Sequence, residues 1–498
     1  MVEGDILGYV LDESSAARIS FVSREPPLLG DYVVVDYGDG MEVLGMIEWV
    51  GARSSLLEML AETRDPRIFE RLEELGAGDY FYEASVRLLG VYPSMEIPRR
   101  PPRPGAPVRR APSSLLGEIF GGSGDSWVRL GVLAARPEVE VRVNVNATVT
   151  RHLAILAVTG AGKSNTVAVL TDRMVKLGGT VLLFDFHGEY VNSGIGGRAN
   201  VIEPRLNPRY LSIGEFKALL GIEDRYYHQE RIFRRVYSAA MDSLGAGESF
   251  IDKMKRMLND AMLRDDRRAA VAVMNKLDAF IDRHGYIIDE NAHDVIQLIR
   301  KGYANIVDLS LVDEDAADVI VSHYLRRVLV ERKVYRRTGS AGLEVPVFVV
   351  VEEAHILAPR DRETLSKYWM ARVAREGRKF GVGLCIVSQR PRNIDPDILS
   401  QMNNKVILRI VEPADQRYVR EASETLSDDL VKQLPGLNKG EGIIIGPFTR
   451  LPAIVRIDKY SGVLGGSDID VVAEWRQASL PGDDIEELLS EGVGIYNG

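Results

Sequence analysis

HLAILAVTGAGKSNTVAVLTDRMVKLGGTVLLFDF, residues 152–186, decides the fold. An apolar run leads into a glycine-bearing turn, a helix is expected from Lys163 to about Lys176, and a second apolar run, TVLLFDF, follows. Strands that alternate with helices of this length indicate a parallel sheet in an α/β protein. The turn itself carries chemistry. Gly160 and Gly162 allow successive backbone N–H groups to curl around phosphate oxygens, and the next helix offers its positive end to them. The expected ligand is ATP with Mg²⁺, cradled by Thr159, Gly160, Ala161, Gly162, Lys163, Ser164, Asn165 and Thr166. Lys163 would reach the β and γ phosphates and Ser164 would hold the metal. Ala157 stands where the loop pattern has its first glycine; that position is at the strand end, where little is lost.

A phosphate loop needs acids on a neighbouring strand. VPVFVVVEEAH, residues 345–355, places Glu352 and Glu353 at the end of a β-branched run, where ligands of open α/β sheets bind. Glu352 would hold Mg²⁺ through water, and Glu353 would polarise the attacking water. Asp185, at the end of TVLLFDF, has two readings: a third acid of the nucleotide site, or a cap of the next turn together with Glu189. Gln389 ends the apolar run LCIVS; its amide can bond both a γ phosphate and the lytic water. ARVAREGRKFG, residues 371–381, holds Arg372, Arg375, Arg378 and Lys379 on and just after a helix. These bases either complement the helix C-terminus or supply an arginine finger to a neighbouring subunit, and Arg151 is a further candidate.

Outside this core the pattern changes twice. Residues 6–50 and 80–92 hold short runs rich in Val, Ile, Tyr and Phe between Gly, Pro and Asp turns, with a helical stretch near 55–75, so residues 1–96 read as a small β-barrel. IPRRPPRPGAPVRRAP, residues 97–112, reads as an extended linker and solvated spacer. The α/β core spans 113–204 and 301–460. Between them, residues 205–300 show apolar positions at three and four residue spacing, a helical insertion. Residues 461–498 form an acidic tail with apolar anchors, among them Trp475. We expect it to strap onto an adjacent subunit, with packing on its own domain as the alternative.

Composition narrows the partners. With 498 residues, 45% hydrophobic and 27% charged, the chain is globular. Its single cysteine, Cys385, excludes an internal disulfide and fits a reducing, cytoplasmic compartment; no apolar run is long enough to span a bilayer. Net charge is −10, but the tail holds eight acids against one base, so the remainder is nearly neutral. A nucleic-acid surface must then be a local lining, with Arg360, Arg362 and Lys367 as candidates beside a solvated helix start as the plainer reading.

Taken in order, TRHLAILAVTGAGKSNT, LLFDFHGEY, VVVEEAHILAP, REGRKFGVGLCIVSQRP and LSQMNNKVILRIVEPADQ resemble the HerA family of DNA translocases, relatives of FtsK. The resemblance implies a RecA/FtsK-like ATPase core, an N-terminal barrel and a homohexameric ring around double-stranded DNA. It also implies a NurA-type nuclease partner in end resection for double-strand break repair. Onto this chain it carries Lys163 and Ser164 for nucleotide and Mg²⁺, Glu353 for water activation, Gln389 as sensor and Arg378 as finger. Two other classes stand beside it: a rotary-type ATPase subunit, and a ring scaffold that binds nucleotide without hydrolysing it.

Overall fold

The computed structural model describes residues 4–466 apart from 13, 55–79, 246 and 265–266, and in the tail only Val471, Val472 and Trp475. The helical stretch expected near 55–75 and most of the tail lie outside the described residues.

Strands β1 (Ile6–Val10), β2 (Arg18–Ser23), β3 (Tyr32–Asp36), β4 (Glu42–Ser54), β5 (Tyr80–Val91) and β6 (Pro107–Arg110) close into an antiparallel barrel in the order β1-β2-β5-β4-β3-β6. Alternation drives closure, since Ile19, Phe21, Val33, Val35, Val43, Ile47 and Val86 are fully buried in a barrel core of their own. The closing strand corrects the expected linker. In β6, Val108 turns inward while Arg109 and Arg110 are half-buried, and the strand pairs with β1 on one side and β3 on the other. The stretch read as a spacer therefore includes part of the barrel wall. Its prolines precede β6, sit at its first residue or, as Pro112, follow it, where no ladder N–H is required.

The second sheet has eleven strands: β7 (Trp127–Leu133), β8 (Glu140–Asn144), β9 (Leu153–Leu156), β10 (Thr180–Asp185), β11 (Ala199–Ile202), β12 (Ala304–Asp308), β13 (Val347–Val351), β14 (Val382–Ser388), β15 (Asn404–Leu408), β16 (Glu441–Ile445) and β17 (Ala453–Ile457). Their order is β11-β12-β10-β13-β14-β9-β15-β16-β17-β7-β8. From β11 to β15 all pairs are parallel, and from β15 to β8 all are antiparallel, so the expected parallel core is the centre of a mixed sheet. Continuous burial along β9, β10, β13, β14 and β15 reflects helices on both faces. The helical insertion leaves the sheet after β11 and returns at β12. Its helices Tyr227–Asp242, Phe250–Arg264 and Arg267–His284 pack around Phe216, Phe233, Phe250 and Phe280. Among the described residues no helix is long and apolar enough to cross a membrane.

The barrel meets the rest of the chain through apolar packing, in which Tyr32, Val34, Leu44 and Met46 join the main hydrophobic core, and through polar contacts. Arg136 makes a paired contact with the buried Asp31, Arg18 pairs with Asp429, and Arg87 donates to the carbonyl of Thr425.

Candidate functional site

β9 lies between β14 and β15, while the chain leaves it for β10, three strands away. The carboxyl ends of β9, β13 and β14 therefore surround one crevice at a switch point of the sheet. The loop after β9 is shaped by two positive φ values, 76° at Gly160 and 113° at Gly162. A side chain would be strained at either position. A Cβ on Gly160 would meet nothing within 4 Å, so the backbone there faces open space. Gly162 is the N-cap of the helix Lys163–Lys176, whose first N–H groups have no side-chain cap and face the same space.

Lys163 sits among acids. Burial lowers its pKa, and Glu353, Glu352 and Glu189 oppose that shift. At the end of β13, Tyr190 donates to Oε1 of Glu352 at 2.6 Å, while Oε2 of Glu352 is buried without a hydrogen-bond partner. Burial raises the Glu352 pKa well above the usual carboxylate range; the Tyr190 bond opposes this and Asp185, Glu189 and Glu353 add to it. A buried, unpartnered carboxylate oxygen facing like charges is costly without a cation. Among the described residues no group of three ligating side chains could hold a metal ion alone. The donor set fits a cation that arrives bound to phosphates.

Glu353 has left-handed backbone, φ 44° and ψ 40°, an uncommon state for a residue with a Cβ. Its carboxylate is 5% exposed as a residue and is met from several sides. Gln389 donates from Nε2 to Oε1 at 2.7 Å, His187 Nε2 lies 3.4 Å from the same oxygen, and His355 Nδ1 lies 3.2 Å from Oε2. Thr159 of the phosphate loop in turn donates its hydroxyl to Oε1 of Gln389. A hydrogen-bonded chain Thr159–Gln389–Glu353 thus joins the ends of β9, β14 and β13.

The structure reassigns several candidates. Asp185 is fully buried and accepts N–H groups from Tyr190 at 2.8 Å, Glu189 at 3.0 Å and His187 at 3.3 Å, so both of its oxygens cap the turn after β10. Of its two readings, the cap is the observed one. Asn165 does not face the crevice either: Nδ2 donates to the Asp458 carbonyl at 2.8 Å and Oδ1 accepts from Tyr460 N at 2.8 Å, which fastens the segment after β17 to the loop helix. Thr166 spends its hydroxyl on the Gly162 carbonyl at 2.9 Å. Lys367 is 8% exposed and pairs with Glu363 at 3.0 Å and Asp395 at 3.1 Å, so it cannot be a free contact to nucleic acid. Arg360 and Arg362 are exposed at the mouth of the cavity that contains Glu353 and Gln389. Arg360 stacks over Tyr418, and Arg362 lies 3.7 Å from Glu314.

Two basic candidates lie elsewhere. Arg151 ends the helix that precedes β9, and Arg378 lies in the turn Gly377–Phe380 that precedes β14. Both stand at the amino ends of strands whose carboxyl ends carry the phosphate loop and Gln389. With about 3.3 Å per residue along seven-residue β14, Arg378 is roughly 20 Å from its own chain's crevice. Arg378 is exposed and makes no ion pair among the described residues. Arg372, by contrast, is paired with Glu376 at 3.1 Å and stacks on Trp369.

Tyr190, His187, His355, Arg390 and Arg392 join the site without any motif of their own in the sequence. The first three lie in HGEY and EEAH beside residues already singled out, and adjacency to a strand end was the available signal. Arg390 and Arg392 line the cavity mouth with Arg360 and Arg362. The two loops are laced together by a bridge between Pro359 and Ile394 and by the Arg360 N–H to the Asn393 carbonyl at 2.8 Å.

Comparison with known proteins gives the following. The family model described as the central domain of helicase HerA matches residues 128–328, and the HerA-like C-terminal model matches residues 327–444. The chain is 42% identical over 487 residues to the DNA double-strand break repair helicase HerA of Saccharolobus solfataricus, covering 95% of this chain and 96% of that one. It is 34% identical over 542 residues to the protein of the same name from Pyrococcus furiosus, covering 95% and 96%. Among solved structures, VirB4 of Thermoanaerobacter pseudethanolicus superposes with a TM-score of 0.52 at 16% identity, over 68% of this chain and 98% of that one.

Proposed function

Since this chain belongs to the HerA helicase family, we propose that it is an ATP-hydrolysing motor acting on double-stranded DNA in double-strand break repair. It works as a homohexameric ring in which each catalytic site is completed by the neighbouring subunit. The observation that carries this reading is the separation of two halves of one site. The loop, Glu353 and Gln389 occupy the carboxyl ends of β9, β13 and β14, whereas the free Arg378 occupies the amino end of β14. Within one chain the finger cannot reach the phosphates it would neutralise. A ring brings the amino end of one sheet to the carboxyl end of the next.

In the reaction, Lys163 and the N–H groups of the loop bind the phosphates. Glu353 takes the proton of the attacking water, which Gln389 positions by exchanging its bonds to Thr159 and Glu353 for bonds to water and γ phosphate. Ser164 and Glu352 would hold Mg²⁺, which when bound neutralises charge on the β and γ phosphate oxygens. The unpartnered Oε2 of Glu352 supports that role. Arg360 and Arg362 remain the DNA-facing candidates after Lys367 is set aside. The names of the relatives support DNA as the substrate, and family resemblance supports a NurA-type nuclease as partner.

Native mass spectrometry together with ATP turnover, measured with and without duplex DNA, tests the proposal. A hexamer whose turnover rises with DNA or with the nuclease is expected. A ring that binds ATP and never hydrolyses it would make the protein a scaffold.

A further inference from the structure

Arg332 takes no part in the chemistry described above, yet it is a buried cation that faces no carboxylate among the described residues. It lies near the end of the long helix Glu314–Thr338 and is 4% exposed. Its guanidinium bonds to main chain: Nε–H donates to the Phe380 carbonyl at 2.8 Å, and Nη1 donates to the Leu343 carbonyl at 2.8 Å. Burying a guanidinium against carbonyls alone is costly, and an apolar side chain of similar length would fill the space at less cost. What the charged group adds is direction, since its planar fork fixes two carbonyls at once.

One of those carbonyls ends the turn Gly377–Phe380, and this is the turn that bears Arg378. The turn is tight on both sides. A Cβ on Gly377 would strike the Val382 carbonyl, and Gly381 closes the turn with φ 71°. The Gly381 carbonyl then accepts the Val347 N–H at 2.9 Å, which sets the start of β14 beside β13. The helix of Arg332 grips the turn a second time, for Lys333 pairs with Glu376 and lies 5.3 Å over the Phe380 ring. Arg378 itself is exposed and makes no ion pair among the described residues. The backbone of the turn therefore sets where its side chain starts and which way it projects.

We propose that Arg332 is a positioning residue for the finger: by holding the Phe380 carbonyl it fixes the turn from which Arg378 reaches the γ phosphate in the neighbouring subunit. This rests on Arg378 being the finger. Arg332 touches no nucleotide; it acts through Arg378. Its loss is felt in the neighbour's site, while the phosphate loop of its own chain stays sound. A group displaced by about 1 Å can lose on the order of a hundredfold in rate.

The experiment uses the full chain with ATP, Mg²⁺ and duplex DNA. Arg332→Met removes both bonds and keeps most of the packing. Its rings are expected at hexamer mass, with kcat lower by about tenfold or more and affinity for a fluorescent ATP analogue within about twofold of the parent. Added to Arg378→Ala, it should cost less than about twofold more, because both act through one group. Mixed rings locate the defect. With Glu353→Gln chains, a sound Glu353 meets a well-placed Arg378 at about a quarter of the interfaces, so turnover should rise. With Arg378→Ala chains no interface has a well-placed finger, and turnover should stay low. Recovery with Arg378→Ala would mean that Arg332 supports the pocket of its own chain, and would overturn the proposal. No recovery with Glu353→Gln, while Arg378→Ala and Glu353→Gln chains rescue each other, would overturn it too. So would near-normal kcat in Arg332→Met beside an inactive Arg378→Ala. Failure of Arg378→Ala and Glu353→Gln chains to rescue each other would instead overturn the finger itself. If Arg332→Met rings do not assemble, Arg332→Lys, which keeps the cation and lacks the fork, takes its place in the same mixes. A kcat loss of about threefold or more with the same mixing pattern is then expected, and parental kcat would overturn the proposal.

Discussion

His152 allows a prediction whose size can be worked from its surroundings. It follows Arg151 at the start of β9, is 3% exposed, and has φ 60°. Its Nδ1 accepts the Leu384 N–H of β14 at 3.0 Å, and its Nε2–H donates to the Ala374 carbonyl at 3.0 Å, in the helix Leu365–Glu376 that leads to Arg378. One neutral ring thus ties the phosphate-loop strand to β14 and to the helix that leads to Arg378. Burial pushes its pKa from the ordinary 6.5 down to about 4, with the Ala374 bond opposing. The folded value is below the unfolded one, so the stabilisation is present in full above pH 6.5. It is lost as pH falls toward 4, because the unfolded chain takes up a proton that the folded chain refuses. At 1.36 kcal/mol per unit, the loss from this one residue is about 3 kcal/mol. His152→Asn removes the titration. Urea unfolding at pH 7 and pH 4, followed by circular dichroism, should show the parent losing about 3 kcal/mol more than the variant over that interval. Parallel loss within about 0.5 kcal/mol would mean that His152 does not titrate as its burial requires.

Three further outcomes follow from the site. Glu353→Gln should still bind ATP and Mg²⁺ but turn over on the order of a hundredfold more slowly, while Lys163→Ala should lose binding as well; equilibrium binding and steady-state turnover separate them. Lys367→Ala should leave DNA affinity unchanged within about twofold and instead lower stability, on the order of 1–3 kcal/mol, since it strips the partly buried Asp395 of its cation. Deleting residues 461–498 should dissociate the ring into monomers that remain folded by circular dichroism, if the tail, whose Trp475 is 71% exposed in the single chain, straps a neighbour. An intact hexamer mass after deletion would place the tail on its own domain.

The parts legible in sequence were those set by local pattern. The helix Lys163–Lys176 runs between the residues expected, because Gly162 and the Lys-Ser pair mark its start and Gly178–Gly179 its end. The strand ends of Glu352, Glu353 and Gln389 were legible because β-branched runs stop there. What escaped depends on partners distant in the chain. β6 has one proline and two arginines among its four residues, and only pairing to β1 and β3 makes it a wall. Asn165 and Lys367 look like surface groups until Asp458, Tyr460 and Asp395 arrive from other elements. For Asp185, sequence could not choose between ligand and cap; three backbone N–H groups decide it.

Mixed rings test directly whether the site is shared between subunits. Arg378→Ala and Glu353→Gln chains are each expected to form inactive rings. Mixed in equal amounts before assembly, they place a sound Glu353 against a neighbour that keeps Arg378 at about a quarter of the interfaces. Turnover should then rise from near zero toward that fraction of the parent. No recovery in rings verified as mixed by native mass spectrometry would contradict the shared site.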